Sequence, residues 1–301
     1  MNLGKFTMGA DPELFLSKKE KWMSAIPLIK GTKEKPEKLP SGATLQHDNV
    51  AAEFAIEPAN SKTDFVQKIA HALSDMKTYL PDNIDMNVIA SCTFPVSQLK
   101  HKEARRFGCD PDRNAYTRRE NKAPEGCEKK PFRSCGGHLH TGFVAGSENL
   151  CLTTAAGKIK FIKMCDLFHG VVSAVLDSDS DALKRRELYG KAGCYRPTKY
   201  GAEYRTLSNY WLKSPVLVKL MYSLTNDVLT VIRNGASNAL LKSIPSDQIR
   251  VIIEEGRVHE ALELIKNKLL SHMSIETKTL FDIAFFDTMN YEFEKEWGLT
   301  K

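Results

Sequence analysis

Two histidines, His138 and His140, stand two residues apart in the segment 132–144. If this segment is a β-strand, both imidazoles project from one face, about 7 Å apart along the chain. Such a pair can bind a metal ion or a phosphate group. Gly136 and Gly137 come directly before it, and their missing side chains allow a bulge or the close approach of a ligand. An isolated pair of this kind is more commonly two hydrogen-bonded histidines in a sheet, but acidic residues elsewhere favour a binding site.

Carboxylates recur in other segments that read as strands. Asp11 and Glu13 are two residues apart, Glu53 stands between small alanines in an apolar stretch, and Glu203 shares a strand face with Arg205. A buried carboxylate without a partner is strongly destabilising, so four such groups in strands favour a bound cation. Carboxylate oxygens with one or two imidazoles suit Mg²⁺ or Mn²⁺ better than zinc.

Two alternatives remain open on these residues. The first is a metal-dependent hydrolase that uses the histidine pair and the acids. Separately, a zinc site from Cys127, Cys135 and the two histidines is conceivable, although its spacing fits no standard structural zinc pattern. The second is a nucleic-acid-binding or nucleic-acid-modifying protein, because residues 100–133 hold eleven Lys or Arg against six Asp or Glu. That basic segment also fits a solvated loop, or a lid over an anionic substrate with Arg118 or Arg119 as a carboxylate clamp.

Composition sets the broad class. The 301 residues are 42% hydrophobic and 27% charged, as in a soluble globular protein with a sizeable core. No apolar run reaches the length of a membrane span, and the first residues lack the apolar core of a signal peptide, so we expect a cytoplasmic protein without a membrane partner. Seven cysteines without a CxxC pair favour reduced thiols.

Hydrophobic periodicity predicts the elements that position these residues. Residues 3–16 are expected to form a strand, or a hairpin with a turn near Gly9, and further strands are expected over 45–56, over 85–94, around the histidine pair and over 202–207. In the second of these strands Asn49 and Glu57 share the face of Glu53, which makes both neighbours of the site. Helices are predicted from Ser61 or Thr63 to Tyr79, and over 155–176, 215–233, 246–255, 258–271 and 275–297.

The order of these motifs resembles the glutamine synthetase and glutamate-cysteine ligase superfamily of carboxylate-amine ligases. Within it, GADPELF, DNVAAEFAIEPA, GGHLHTGF and YRPTKYGAEYRTLSNYWLKSP resemble the COOH-NH2 ligase type 2 family, described mainly from bacteriophages, over residues 8–215. The resemblance implies an α+β fold with a curved, mostly antiparallel sheet and packed helices. It also implies a catalytic core over 1–215, with a helical region over 216–301 packed on that core.

The resemblance also implies roles for individual residues. The chain has DPE where the family more usually has ExE, so a water molecule can stand between the shorter Asp11 and a metal. The implied metal ligands are Asp11, Glu13, Glu53, His138 and Glu203; the implied nucleotide-binding residues are His138, His140, Arg196 and Arg205; and the implied catalytic residues are Arg205, Glu203 and His138.

The implied reaction is amide or peptide bond formation driven by ATP, with Mg²⁺ or Mn²⁺ and an acyl-phosphate intermediate. Its substrates would be small-molecule or peptide carboxylates and amines, with a protein or a modified nucleic acid as a further type of acceptor. Neither the acid nor the amine follows from the sequence. The number of metals and the oligomeric state also stay open.

Overall fold

A thirteen-residue strand, Phe6–Lys18 (β1), lies in the middle of the sheet in this computed structural model, which describes residues 5–105, 112–121, 130–144, 150–287 and 291–299. Its even-numbered residues, such as Met8 and Leu14, pack into the main apolar core. Because side chains alternate along a strand, Asp11 and Glu13 lie on the opposite face. The turn expected near Gly9 is wrong, since β1 runs through this residue and pairs it with His140.

The sheet is antiparallel at every pairing among the described residues, which confirms the mostly antiparallel α+β class. Its order is β3-β4-β5-β1-β11-β13-β12-β8-β9; β2 and β6 also pair with β1, while β7 and β10 form a separate pair. The strands after β1 are Lys21–Met23 (β2), Glu37–Lys38 (β3), Thr44–Asp48 (β4), Ala51–Ala55 (β5), Asp85–Asn87 (β6), Ser91–Thr93 (β7), Asp112–Asn114 (β8), Glu120–Asn121 (β9), Phe132–Ser134 (β10), Gly137–Phe143 (β11), Cys194–Pro197 (β12) and Gly201–Tyr204 (β13).

Two predicted strands are each divided in two. The strand expected over 45–56 is the hairpin β4–β5, which turns at Asn49, a residue with a left-handed φ of 59°. Asparagine tolerates this conformation because its short polar side chain can bond locally. The expected shared face of Asn49 and Glu53 is therefore wrong, and the Asn49 Oδ1 instead accepts a hydrogen bond from the Arg133 Nε at 3.1 Å. The strand expected over 85–94 is likewise β6 and β7, which pair with different partners.

Most helices follow the predicted apolar periodicity, but the single helix expected over 275–297 is wrong, because Ile275–Asp287 and Phe293–Glu296 are separate helices. The first, Lys62–Tyr79 (α1), begins at Ser61, whose side chain accepts a hydrogen bond from the Asp64 amide. The helix expected over 155–176 is confirmed, with a π-helical turn at Asp166–Gly170 between α3 and α4. The helices after α1 are Leu150–Thr153 (α2), Ala155–Cys165 (α3), Val171–Leu176 (α4), Ser180–Leu188 (α5), Pro215–Arg233 (α6), Ser237–Lys242 (α7), Ser246–Glu255 (α8), Val258–Leu264 (α9), Ile275–Asp287 (α10) and Phe293–Glu296 (α11).

The main core lies between the helices and one face of the sheet. Buried residues of α1, α3, α4 and α6 join the inward residues of the strands in a single apolar cluster. A smaller cluster that includes Phe15, Phe94 and Cys135 covers one end of the other face. The rest of that face is left for polar residues. The division of the chain into domains at 215/216 remains a prediction.

Helix α6 is, among the described residues, the one helix long and apolar enough by length and composition to cross a membrane. Within the fold, 61% of its apolar window is buried. Leu217, Leu224 and Val228 of this helix are core residues. Its apolar character is therefore accounted for by packing against the sheet and the other helices.

Candidate active site

The sheet register brings the predicted site residues together across neighbouring strands. Asp11 of β1 lies opposite His138 of β11, and Glu13 of β1 lies opposite Glu53 of β5. All four are on the face that the helices do not cover. Because Asp11 and Glu13 are two residues apart on one strand, the two pairs lie about 7 Å apart.

The next two strands extend this row. His140 of β11 lies opposite Glu203 of β13, and Glu203 lies opposite Arg196 of β12. Arg205 follows directly after β13, and its amide bonds to the Cys194 carbonyl. Every residue predicted for the site therefore falls on β5, β1, β11, β13 or β12, or at the end of one of them.

One group of ligating atoms joins Asp11, His140 and Glu203, with one atom from each lying within 4.8 Å of the others. The Asp11 Oδ1 is 3.0 Å from the His140 Nε2 and 3.4 Å from the His138 Nδ1. The His138 Nδ1 is in turn 3.8 Å from a Glu203 oxygen. Carboxylates and an imidazole at this spacing fit a divalent cation.

A second group is made of oxygen atoms alone. Oxygens of Glu13, Asp48 and Glu53 lie within 4.8 Å of one another. The Gly136 amide donates to the Glu13 Oε2 at 2.8 Å, and the Gln46 Nε2 donates to the Glu53 Oε2 at 2.9 Å. Three carboxylates with two fixed orientations form an arrangement suited to a hard cation such as Mg²⁺ or Mn²⁺.

Burial, and after it the charge of neighbouring acids, disfavours ionisation of Glu13 and Glu53 in the second group. Burial raises the pKa of Glu13 to about 8, and the nearby Asp48 adds to the effect. Burial also raises the pKa of Glu53 well above its usual range, with Asp11 and Asp48 contributing. Protein groups alone do not neutralise these acids. A bound cation would neutralise them, so this set of carboxylate oxygens fits a metal.

In the group of Asp11, His140 and Glu203, neighbouring groups of opposite charge favour ionisation of Asp11 and His140. Burial disfavours the charge on Asp11, but His140 and His138 outweigh burial and lower the pKa of Asp11. Burial lowers the pKa of His138, and Arg205 lowers it further, so His138 is a neutral imidazole near pH 7. Burial also works against protonation of His140, but Asp11 outweighs it and raises the pKa of His140.

The two predicted arginines occupy different environments. The side chain of Arg205 is 1% exposed; its Nε lies 2.8 Å from an Asp112 oxygen, and its other nitrogens bind Glu203 and the Tyr189 hydroxyl. The side chain of Arg196 is 31% exposed and donates to the Glu203 Oε2 at 2.9 Å. Arg196 is therefore accessible to a ligand, whereas Arg205 is enclosed by protein groups.

Sequence reasoning missed three residues of the site. Asp48 joins the second group because the hairpin turn at Asn49 brings it beside Glu53. Asp112 binds Arg205 from a short strand within the basic segment, and Tyr189 packs its ring near the guanidinium of the same arginine. The one sequence feature that could have placed Asp48 beside Glu53 is a two-residue turn at Asn49-Val50. The predicted neighbour Glu57 lies beyond β5 and is exposed.

The zinc alternative finds no support in the residues that the structure describes. Cys135 is packed in the smaller apolar cluster, where burial raises the pKa of its thiol well above the usual range. It is absent from both groups of candidate ligands among the described residues. Cys127 lies outside the described residues.

The basic segment is described only in part, because residues 106–111 and 122–129 lie outside the described ranges. Its middle forms the hairpin β8–β9, which pairs with β12 at the edge of the sheet. Arg118 and Arg119 are exposed at the turn of this hairpin. A lid over the substrate stays a prediction.

Comparison with known proteins gives one family match. Residues 122–245 match the family described as phage phiEco32-like COOH.NH2 ligase-type 2. This confirms the family that the motifs resemble, and the matched segment includes the histidine pair and Glu203; the motifs around Asp11 and Glu53 lie outside it. Comparison with curated protein sequences found no match.

Similar solved structures include a bifunctional glutathione synthetase from Pasteurella multocida, with 9% identity and a TM-score of 0.47. This chain is covered over 99% of its length and spans about half, 52%, of that protein. The ADP complex of GmaS has 11% identity, a TM-score of 0.48, and coverage of 98% of this chain and 73% of its own. GmaS without ligand has 11% identity, a TM-score of 0.45, and coverage of 99% and 72%.

Proposed function

We propose that this chain, which carries the COOH-NH2 ligase type 2 match over residues 122–245, is an ATP-dependent ligase that joins a carboxylate to an amine. The observation that carries the proposal is the convergence of two groups of metal-ligating atoms and an accessible arginine on one face of neighbouring strands. A nucleotide triphosphate needs such a combination of divalent cations and guanidinium groups. The substrates are small-molecule or peptide acids and amines.

The carboxylates divide the work of holding metal. Asp11 and Glu203 would hold one cation together with an imidazole, and Glu13, Asp48 and Glu53 would hold another. Cations bound there supply positive charge that neutralises the phosphate oxygens during transfer. The acids of the second group hold their protons more strongly than usual, so a cation bound there would also favour their ionised form.

The reaction needs an activated acid, because the oxide of a free carboxylate is a very poor leaving group. The γ-phosphoryl group of ATP passes to a carboxylate oxygen of the substrate, and ADP leaves. The amine then attacks the acyl carbon of the acyl phosphate, inorganic phosphate leaves, and the amine loses a proton. The product is an amide or a peptide bond.

The two arginines contribute differently to this reaction. Arg196 is the guanidinium that can reach phosphate oxygens, since its side chain is partly exposed beside Glu203. Arg205 is buried, binds both Glu203 and Asp112, and so keeps these two side chains in fixed positions. The neutral His138 beside Arg205 is a hydrogen-bonding group near the phosphates and carries no charge.

Arg196→Ala is expected to weaken nucleotide binding about 10- to 100-fold, the loss typical of one charge-assisted hydrogen bond to an anion. Titration calorimetry with ADP and Mg²⁺ would measure the change. Arg113→Ala is the matched control, because Arg113 is exposed on the adjacent strand β8 and lies opposite Tyr195 on the other face of the sheet. Equal affinities in both variants would remove Arg196 from the nucleotide site.

The function itself is tested by thermal unfolding with nucleotide. ATP together with Mg²⁺ or Mn²⁺ is expected to raise the melting temperature by several degrees, since a ligand at about 100 times its Kd adds roughly 2.7 kcal/mol to the free energy of unfolding. ATP with a chelator should have little effect. A metal-dependent hydrolase would instead contain zinc and show no response to ATP.

A cytoplasmic location, inside the host cell if the chain is encoded by a phage, is part of this proposal. So are a protein or modified nucleic acid as acceptor and assembly into an oligomer. Binding to nucleic acid through the basic segment alone would show affinity that falls steeply with salt and needs no cation.

A further inference from the structure

The second histidine of the pair makes a contact on each side of its ring. The His140 Nδ1 lies 2.6 Å from the Tyr200 hydroxyl, and the His140 Nε2 lies 3.0 Å from the Asp11 Oδ1. The Nε2 atom is shielded from solvent and makes no well-directed hydrogen bond among the described residues, so its contact with Asp11 is one of charge and proximity. This nitrogen points into the group formed with Asp11 and Glu203.

Tyr200 is held in place by the turn between β12 and β13. The Thr198 amide bonds to the Gly201 carbonyl at 3.1 Å, and the Phe143 amide bonds to the Tyr200 carbonyl at 3.1 Å. Lys158 also donates to the Thr198 carbonyl at 2.6 Å. The hydroxyl of Tyr200 is therefore presented to His140 by an anchored segment of backbone.

A neutral imidazole carries one proton, so fixing the proton on one nitrogen leaves a lone pair on the other. If the His140 Nδ1–H donates to the Tyr200 hydroxyl oxygen, the lone pair is on Nε2 and faces Asp11 and Glu203. Metal-ligating histidines commonly use the second ring nitrogen in this way. The Asp11 Oδ1 and the His140 Nε2 are 3.0 Å apart, close enough for one cation to bind both.

His138 is a poorer ligand for the same ion. Its Nδ1, which faces Asp11 and Glu203, also lies 3.4 Å from the Arg205 Nη1, so a cation on this nitrogen would be next to a buried guanidinium. Its Nε2 packs against Gly136, where a Cβ atom would lie only 2.4 Å away. Neither nitrogen of His138 is as open to a cation as the His140 Nε2.

We propose that His140, in place of the His138 implied by the family resemblance, is the imidazole ligand of the cation held by Asp11 and Glu203, and that Tyr200 is the positioning residue that sets its tautomer. The inference rests on the proposed function in that it requires a divalent cation at this site. It adds a residue, Tyr200, that lies in the motif YRPTKYGAEYRTLSNYWLKSP but has no role among those implied by the resemblance.

Mn²⁺ added to the full-length protein without nucleotide tests the assignment directly. Pulsed electron paramagnetic resonance detects coupling between bound Mn²⁺ and a directly coordinated nitrogen. We expect this coupling in the native protein and in His138→Gln, and its loss in His140→Gln. Glu53→Gln should keep the nitrogen coupling even if it loses a bound ion, because the second group contains oxygen ligands alone.

Tyr200→Phe removes the hydroxyl and keeps the ring. Its affinity for Mn²⁺ at the nitrogen-containing site is expected to fall about 10- to 100-fold, as is usual when the partner of a ligating histidine is lost. Tyr195→Phe is the matched control, since Tyr195 is on the neighbouring strand and its side chain is in the main core on the other face of the sheet. Circular dichroism would establish that each variant is folded.

The outcomes separate this inference from the ligase proposal. Nitrogen coupling that persists in His140→Gln and disappears in His138→Gln would overturn the inference and leave the metal-dependent ligase intact. Unchanged Mn²⁺ affinity in Tyr200→Phe would remove the role of Tyr200. Absence of Mn²⁺ binding in the native protein would overturn both the inference and the metal site of the proposed function.

Discussion

Replacing Glu203 with glutamine is expected to leave the protein folded and to lower ATP turnover by about 10²-fold or more, roughly 3 kcal/mol of transition-state stabilisation. Glu203 is at the centre of the row, bound by Arg196 and Arg205 and close enough to Asp11 and His140 to share a cation with them. Glutamine keeps the size of the side chain and removes its charge. The substitution therefore weakens the cation site and frees the arginines from their common partner.

The measurement is the rate of ADP release at saturating ATP and Mg²⁺, together with the thermal unfolding curve. Glu57→Gln is the control, because Glu57 is exposed just beyond β5 and belongs to neither group of ligands. Turnover of Glu203→Gln within about threefold of the native rate would remove Glu203 from the site. Arg205→Ala is a less suitable test, since it leaves Asp112 and Glu203 buried without their cation and so destabilises the fold as well.

In the absence of divalent cations, the protein is expected to lose stability as the pH rises from about 5 to about 8. Burial and Asp48 raise the pKa of Glu13 to about 8, whereas the unfolded chain releases the same proton near 4.5. The folded state therefore holds more protons than the unfolded state across this window. The stabilisation is complete below the unfolded pKa and is lost as the pH passes through the folded one, an effect of roughly 4 kcal/mol.

A neighbouring acid adds to this loss of stability with rising pH. Glu53, whose pKa is also raised, contributes with the same sign. Asp11 has a lowered pKa and acts with the opposite sign, but it titrates at acidic pH below this window. Bound cations should remove the effect, because they favour the ionised acids.

Thermal unfolding in a chelator between pH 5.5 and 8.5 measures this dependence. We expect the melting temperature to fall across the series in the native protein, with a smaller fall in Glu13→Gln and with saturating Mn²⁺. Glu57→Gln is the matched control, because it removes one carboxylate from an exposed position that belongs to neither group of ligands. A melting temperature that rises with pH in the chelator, or equal slopes in the native and Glu13→Gln proteins, would contradict the charge balance described for this group.

Strand alternation made much of the site predictable. In β1 the even residues are apolar and the odd residues Asp11 and Glu13 are acidic, and the core takes the even ones. The same period places His138, His140 and Glu203 on one face of their strands. What periodicity cannot supply is register, because it depends on contacts between segments far apart in the chain. The expectation that these distant strands come together therefore came from the resemblance to a known family.

The sequence did not predict the positions of Asp48 and Asp112 or the burial of Arg205, each for a different physical reason. Asp48 depends on a turn at Asn49, and the apolar pattern of 45–56 reads equally well as one strand or as a hairpin. Asp112 is in the basic segment 100–133, where no local pattern distinguishes it from the other five acidic residues. The burial of Arg205 follows from its neighbours Asp112, Tyr189 and Glu203, which come together only in the folded chain.

The most direct test of the central claim is mass spectrometry of a reaction that contains the protein, ATP, Mg²⁺ and pooled acids, amines and cell extracts. We predict ADP and phosphate in amounts equal to a new compound whose mass is that of one acid plus one amine less one water. Its formation should stop when ATP or the cation is left out. A product that forms without nucleotide, or with release of AMP and pyrophosphate, would contradict a ligase that works through an acyl phosphate.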